Sequence, residues 1–240
     1  MKKFSLSLAA FLTLSTLPSA KADVIAGWNF QTAASTNAIL AAGTSTAVTN
    51  VFADIGSGTG YGLHAGAAAW SSPAGNGSTN SWSSTLWAAG DFYQFAASTT
   101  GYTNIIVSFD QVSSGTGPGR FNFQYSTDGT AFTTFGSIYS VTSSPSWNVT
   151  TPGSAAESFS FDLSSVTALA NASSVYLRLT DANTTSASGG TVGTAGTDRV
   201  DNFLISGTST SVPEPAAWSF ALLGLGSFVF LKKSLLKPRN

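Results

Sequence analysis

Phe121-Asn122-Phe123-Gln124-Tyr125-Ser126-Thr127-Asp128-Gly129 alternates apolar and polar side chains and then stops at an Asp-Gly pair. A period of two puts successive side chains on opposite faces of a β-strand, so Phe121, Phe123 and Tyr125 face a core while Asn122 and Gln124 face away. Asp128-Gly129 supplies the positive φ that a tight hairpin turn requires. The same alternation recurs in Phe159, Phe161 and Leu163 against Ser158, Ser160 and Asp162, and in Val175, Leu177 and Leu179 against Tyr176, Arg178 and Thr180. Further strands are expected at 27–30, 91–95, 104–112, 131–135 and 200–206. Helical signal is confined to 163–172, where Ser164 or Ser165 is placed to cap a single turn. Residues 31–69 and 184–197, dominated by small and polar side chains, read as long loops. These segments add up to an all-β fold, an antiparallel two-sheet β-sandwich.

The 240 residues hold few charges (9%), many rings (12% Phe, Trp and Tyr), no Cys and a single His. Without Cys there is no disulfide framework, thiolate metal site or thiol nucleophile, and a lone His removes every mechanism that needs two imidazoles. Ten Lys and Arg against eleven Asp and Glu leave no basic surface for nucleic acid. Most positive charges sit at the chain ends: Lys2, Lys3 and Lys21 at one, Lys232, Lys233, Lys237 and Arg239 at the other. Between residues 24 and 212 only Arg120, Arg178 and Arg199 oppose nine carboxylates, so that stretch carries six negative charges net.

The two ends read as addresses. Lys2-Lys3, an apolar run over 4–17, Pro18 and the small residues Ala20 and Ala22 form a signal peptide over residues 1–22, which implies export and cleavage by signal peptidase. The body then spans 23–211, the size of one domain. At the other end Pro213-Glu214-Pro215 precedes an uncharged stretch at 216–231 and a basic tail at 232–240. As a transmembrane helix that stretch is roughly 24 Å long, and lysine snorkelling with local thinning covers its shortfall against a ~30 Å hydrocarbon core. The positive-inside rule keeps Lys232, Lys233, Lys237 and Arg239 cytoplasmic and leaves the Pro-Glu-Pro triplet at the outer face of the membrane.

Pro213-Glu214-Pro215, a short apolar helix and a terminal basic tail together resemble the PEP-CTERM sorting signal of exported bacterial proteins. That resemblance implies recognition by exosortase, a membrane-embedded cysteine protease or transpeptidase, processing near the Pro-Glu-Pro triplet, and passage of the body to the cell surface or an exopolysaccharide matrix. The body is similar to the jelly-roll-like domains that precede such signals, on Gly75-Asn76-Gly77-Ser78, Gly90-Asp91-Phe92-Tyr93-Gln94-Phe95, Ser114-Gly115-Thr116-Gly117-Pro118, Tyr125-Ser126-Thr127-Asp128-Gly129 and Arg199-Val200-Asp201-Asn202-Phe203. This second resemblance implies a fold and no reaction. The expected role is structural or adhesive, with exopolysaccharide as partner and no enzymatic activity; the alternative is a carbohydrate-binding module of the β-sandwich type.

Few residues offer chemistry. His64, in Gly62-Leu63-His64-Ala65-Gly66, has no orienting carboxylate or nucleophile motif beside it and reads as a surface or loop histidine, so no catalytic residue is assigned. Asp91, Asp110 and Asp201 would suit glycoside hydrolysis only if the fold brought a pair together. Asp201 shares its strand phase with Phe203 and Ile205, so burial of that face requires an ion pair with Arg178 or Arg199, a hydrogen-bonded turn, or a structural Ca²⁺; exposure at the strand end is the other outcome. No other cofactor is expected. Trp70, Trp82, Trp87 and Tyr93, with Phe92 among them, are candidates for stacking on sugar rings, although large aromatics in a chain short of Leu and Ile also serve as core.

Overall fold

The structure, a computed structural model, describes residues 22–143 and 147–210. The signal segment through residue 21, Pro213-Glu214-Pro215, the apolar stretch 216–231 and Lys232, Lys233, Lys237 and Arg239 lie outside the described residues. Among the described residues no helix is long and apolar enough to cross a membrane.

Thirteen strands and one helix follow in chain order. They are β1 (Ala22–Trp28), α1 (Ala33–Ala42), β2 (Thr44–Phe52), β3 (Ile55–Gly56), β4 (Gly58–Ser71), β5 (Trp82–Ser84), β6 (Phe92–Ala97), β7 (Tyr102–Ser113), β8 (Arg120–Ser126), β9 (Thr133–Thr134), β10 (Tyr139–Ser140), β11 (Ser158–Asp162), β12 (Val175–Asp181) and β13 (Asp198–Ser209). Every pairing between them is antiparallel. The A sheet runs β3-β1-β13-β7-β11. The B sheet runs β2-β4-β6-β12-β8, with β9 and β10 along the far side of β8. β5 pairs with both β13 and the end of β4, so β4 leaves the B sheet and joins the two layers along one side.

The expected phases hold. Phe121 and Phe123 of β8 and Val175, Leu177 and Leu179 of β12 are buried between the sheets, while Asn122, Gln124, Tyr176, Arg178 and Thr180 alternate with them on the half-buried outer face. Between the layers the core is mainly aromatic: Phe95 stacks on Phe203 at 3.7 Å, Phe123 on Phe161 at 4.3 Å, and Trp28 meets Phe95 edge-on at 5.1 Å. Three buried indoles satisfy their N–H on backbone carbonyls, Trp28 on Val51 at 2.8 Å, Trp70 on Ser45 at 3.0 Å and Trp87 on Ser84 at 3.1 Å.

The region 31–69 is not a loop. It folds as α1, β2, β3 and β4. In the first half of β4, Gly58-Thr59-Gly60-Tyr61-Gly62-Leu63-His64, the inward positions before His64 are glycines, because indoles occupy the space their side chains would fill. A Cβ at Gly58 would meet Trp28 at 2.6 Å, at Gly60 Trp82 at 3.1 Å, and at Gly62 Trp70 at 2.6 Å. The period of two is present there in inverse form, small residues inward. α1 starts at its N-cap Thr32 and ends at Gly43, whose φ of +55° suits glycine. Asp54 ties the approach to that helix, accepting Asn29 and Phe30 N–H at 2.9 and 2.7 Å with one oxygen and Thr32 N–H and Ser35 Oγ with the other.

Two other expectations change. Over 163–172 only one 3-10 turn forms, Thr167–Leu169, and Asp162 rather than Ser164 supplies the local acceptor, taking the Ser164 N–H at 2.9 Å. In β13 a bulge between Asp201 and Leu204, with Asn202 at φ +50°, resets the strand phase. Asp198 and Val200 face inward before it, Phe203 and Ile205 after it, so Asp201 does not share the face of Phe203.

Candidate functional site

The rings proposed for sugar stacking are core. Trp82 and Tyr93 are fully buried, and Trp70 and Trp87 are 4% and 6% exposed. They pack on one another and on His64, with Trp82 to Tyr93 at 5.0 Å and Trp87 to His64 at 4.4 Å, so no saccharide face reaches them.

His64 is not a surface histidine. Its inward position on β4 sets Nδ1 3.2 Å from Asp91 Oδ2 and Nε2 3.1 Å from Ser84 Oγ. The Asp91 carboxylate also accepts the N–H groups of Ala65 and Ala88, both at 2.7 Å. This is the order of a serine–histidine–aspartate triad, with Ser84 and Asp91 twenty and more residues from His64 and no sequence motif to announce it. Ser84, His64 and Asp91 are 0%, 2% and 3% exposed, however, and the Ser84 hydroxyl lies beneath Trp87 and Tyr93 rather than at a cleft. Burial pulls the His64 pKa below its usual value against the opposing pull of Asp91 and the Leu86 carbonyl. A neutral imidazole that donates from Nδ1 and accepts the Ser84 proton at Nε2 satisfies every group, and the arrangement cross-links β4, β5 and the turn before β6.

Further buried carboxyls extend from this cluster. Asp198 accepts Gln111 Nε2 at 3.0 Å and Ser113 Oγ at 2.9 Å, and burial raises its pKa well above the usual carboxylate value. Burial likewise pushes Asp181 up to about 7. Asp201 lies under the 74–80 loop, where its carboxylate accepts the Asn76 N–H, the Ser78 hydroxyl and the Asn202 N–H, each at 2.8 Å. Burial still pushes it up to about 6. A hydrogen-bonded turn, and not an ion pair with Arg178 or Arg199, therefore satisfies this carboxylate among the described residues. Among the described residues no group of three or more His, Asp or Glu is placed to hold a metal ion. Asp110 lies opposite Asp201 across β7 and β13, so the fold brings that pair together, while Asp91 lies apart from them in the His64 cluster.

The outer face of the B sheet is different in kind. Strand register aligns Tyr61, Gln94, Arg178, Gln124 and Thr134 in one row across β4, β6, β12, β8 and β9. A row to one side holds Leu63, Phe92, Thr180 and Asn122, and a row to the other holds Thr59, Ala96, Tyr176 and Ser126. The polar groups are fixed by one another: Arg178 Nε donates to Gln94 Oε1 at 2.8 Å, Thr180 Oγ1 to Gln124 Oε1 at 2.8 Å, and Gln124 Nε2 to Thr134 Oγ1 at 3.3 Å. The guanidinium of Arg178 is clasped between the rings of Phe92 and Phe132, 3.8 and 3.5 Å from their centroids, and Tyr61 lies 5.9 Å from Phe92. Beside the third row opens a groove of about 510 Å³ lined by Thr59, Ala96, Tyr176, Ser98, Ser173 and Ser174, with Phe52 and Gly58. Rings, amides and hydroxyls on a flat, half-exposed face form a surface suited to planar, polyhydroxylated ligands.

The outward phase of Gln124 and Arg178 follows from the alternation of β8 and β12. What sequence reasoning missed was the register that sets Tyr61 and Gln94 beside them, and the contribution of Phe132 from the β8–β9 turn. No single-strand pattern carries that signal.

The fold and this face define an all-β sandwich with a polar, aromatic-bordered sheet surface. The sequence matches no protein family and no curated protein. Among solved structures it is similar to TmCBM61 in complex with β-1,4-galactotriose, at 8% identity and TM-score 0.32 over 53% of this chain and 70% of that one. It is also similar to the K2 cleaved adhesin domain of Lys-gingipain, at 14% identity and TM-score 0.35 over 57% and 80%. These likenesses are too distant to assign a role, which rests on the residues alone.

Proposed function

We propose that the chain is an exported, non-catalytic β-sandwich that binds polysaccharide on the outer face of its B sheet and serves as an adhesive or structural component of an extracellular exopolysaccharide matrix. One observation carries the binding reading: the register-aligned row Tyr61-Gln94-Arg178-Gln124-Thr134, bordered by Phe132 and Tyr176, with a groove of about 510 Å³ beyond Tyr176. Preformed hydrogen bonds hold the amides and the guanidinium in place before any ligand arrives, which lowers the entropy lost on binding. The burial of Ser84, His64 and Asp91 supports the non-catalytic reading. The interleaved strand orders β1-β13-β7-β11 and β6-β12-β8-β10, with the β2–β4 hairpin added beside β6, support a jelly-roll-like topology.

Export, the membrane anchor and processing by signal peptidase and exosortase rest on the sequence of the two ends, with the Pro213-Glu214-Pro215 triplet as the sorting motif. A glycan array with the full-length chain tests the binding reading. Binding to at least one polysaccharide is expected, with Tyr61→Ala and Gln124→Ala weakening it by about tenfold at unchanged thermal stability. Absence of binding to every polysaccharide overturns it.

A further inference from the structure

Arg178 is one of three cations in a body of ten carboxylates, and its surroundings set it apart from the other two. Arg120, at the end of β8, donates to Ser140 Oγ, and Arg199 turns an Nη toward the Ala74 carbonyl at 3.4 Å. Arg178 sits at the centre of the B-sheet face. Its Nε is spent on Gln94, both flat faces of the guanidinium are covered by Phe92 and Phe132, and no carboxylate lies within ion-pairing distance among the described residues. The two Nη groups form no hydrogen bond to a protein acceptor among the described residues. An arginine that merely braced the sheet would be expected to use that edge on a neighbouring acid, which this acidic chain supplies elsewhere in quantity. Instead the face around Arg178 is lined by neutral Gln94, Gln124, Thr180 and Tyr61.

Clamped faces leave a guanidinium only its edge for a ligand. Two parallel N–H bonds along such an edge match the two oxygens of a carboxylate, and a charge-assisted bidentate pair is about twice as strong as a neutral hydrogen bond. A single fixed cation on a neutral face in a net-negative body also selects: a dense polyanion is repelled by the rest of the molecule, while a chain presenting one carboxylate per sugar is held at one point and contacted by rings and amides on either side.

We propose that Arg178 is a specificity-determining residue for acidic polysaccharide, pairing its Nη edge with the carboxylate of a uronic acid unit while the flanking rows contact the neighbouring sugars. This rests on the polysaccharide-binding reading of the same face and names the chemical class of its ligand. Polygalacturonate and its methyl-esterified form share a backbone and differ only in the carboxylate, so affinity electrophoresis or calorimetry of the full-length chain on the two isolates that group. Polygalacturonate is expected to bind about tenfold more tightly than the ester, with the advantage shrinking as salt rises. Arg178→Gln should abolish the preference, bringing acid and ester to the same affinity, and Arg178→Lys, which keeps the charge but loses the fork, should retain only part of it.

Equal binding of acid and ester, or an Arg178→Gln protein of unchanged thermal stability that keeps the preference, overturns the proposal. Equally tight binding of dextran sulfate overturns it too, since that marks unspecific attraction to polyanions. If Arg178→Gln fails to fold, the acid-to-ester comparison on the unaltered chain decides. Binding to neutral glycans without a carboxylate preference defeats this inference alone, whereas absence of binding to any glycan, acidic or neutral, defeats the function proposed for the face.

Discussion

A methyl group placed on Gly62 would lie 2.6 Å from the Trp70 ring and 3.0 Å from Trp82. Both rings are buried and cannot swing aside without disturbing their neighbours, so Gly62→Ala is expected to destabilise the protein by about 1–3 kcal/mol through overpacking. A denaturant midpoint that stays put would show the indoles to be looser than described. The buried carboxyls give a second expectation at the same scale. Asp181 and Asp201 are pushed up to about 7 and 6, and Asp198 well above its usual value, against 3.8 for an unperturbed Asp. Between those limits the folded chain holds protons that the unfolded chain has released. Their stabilising contribution is therefore complete below pH 3.8 and drains away as pH rises through 6 to 7. His64 opposes this, because its lowered pKa adds stability as pH rises toward 6.5, but one imidazole stands against three carboxyls. The melting temperature should be higher at pH 5 than at pH 8, and Asp181→Asn should narrow the gap by raising the pH 8 value. A profile rising steadily from pH 5 to 8 would contradict this.

At the scale of the element, Asp54 decides whether α1 can dock. Its carboxylate gathers donors from Asn29, Phe30, Thr32 and Ser35, and Asp54→Ala would strand several of them, costing about 2–3 kcal/mol. Urea unfolding checks this, and a loss below about 0.5 kcal/mol would make the clamp incidental. The same region marks what was legible in the sequence and what was not. Strands β8, β11 and β12 could be read directly because large apolar side chains alternate with polar ones. β4 could not, since the inward residues of its first half are glycines packed under the indoles of Trp28 and Trp82 from other strands and of Trp70 from its own far end. α1, an Ala-rich helix with Ser35 and Ile39 as its buried residues, lacks the wide apolar stripe that marks a helix. At the site the limits were similar. Alternation assigned Gln124 and Arg178 to an outer face, but only pairing between strands sets them in one row with Tyr61 and Gln94, and only folding brings Ser84, His64 and Asp91 together. The burial of Trp70, Trp82 and Trp87 follows from a composition short of Leu and Ile, which leaves the core to be filled mainly by rings.

For the whole molecule, the proposal of two addressing segments around a weakly charged sandwich makes delivery and binding separable. Mass spectrometry of protein recovered from its own cells should find a chain starting near residue 23 and lacking 216–231; a chain retaining that stretch would leave the anchor in place. Binding itself is best followed on the face that is held to perform it. Titrating the isotope-labelled full-length chain with an oligosaccharide that it binds, and watching side-chain amide, guanidine and indole N–H signals by NMR, separates that face from the core. The account predicts that Gln94, Gln124 and Arg178 Nε shift together while the indole N–H signals of Trp28, Trp70 and Trp82 stay in place. Shifts confined to the indoles or to the A sheet, with the Gln94 and Gln124 amides unmoved, would contradict it.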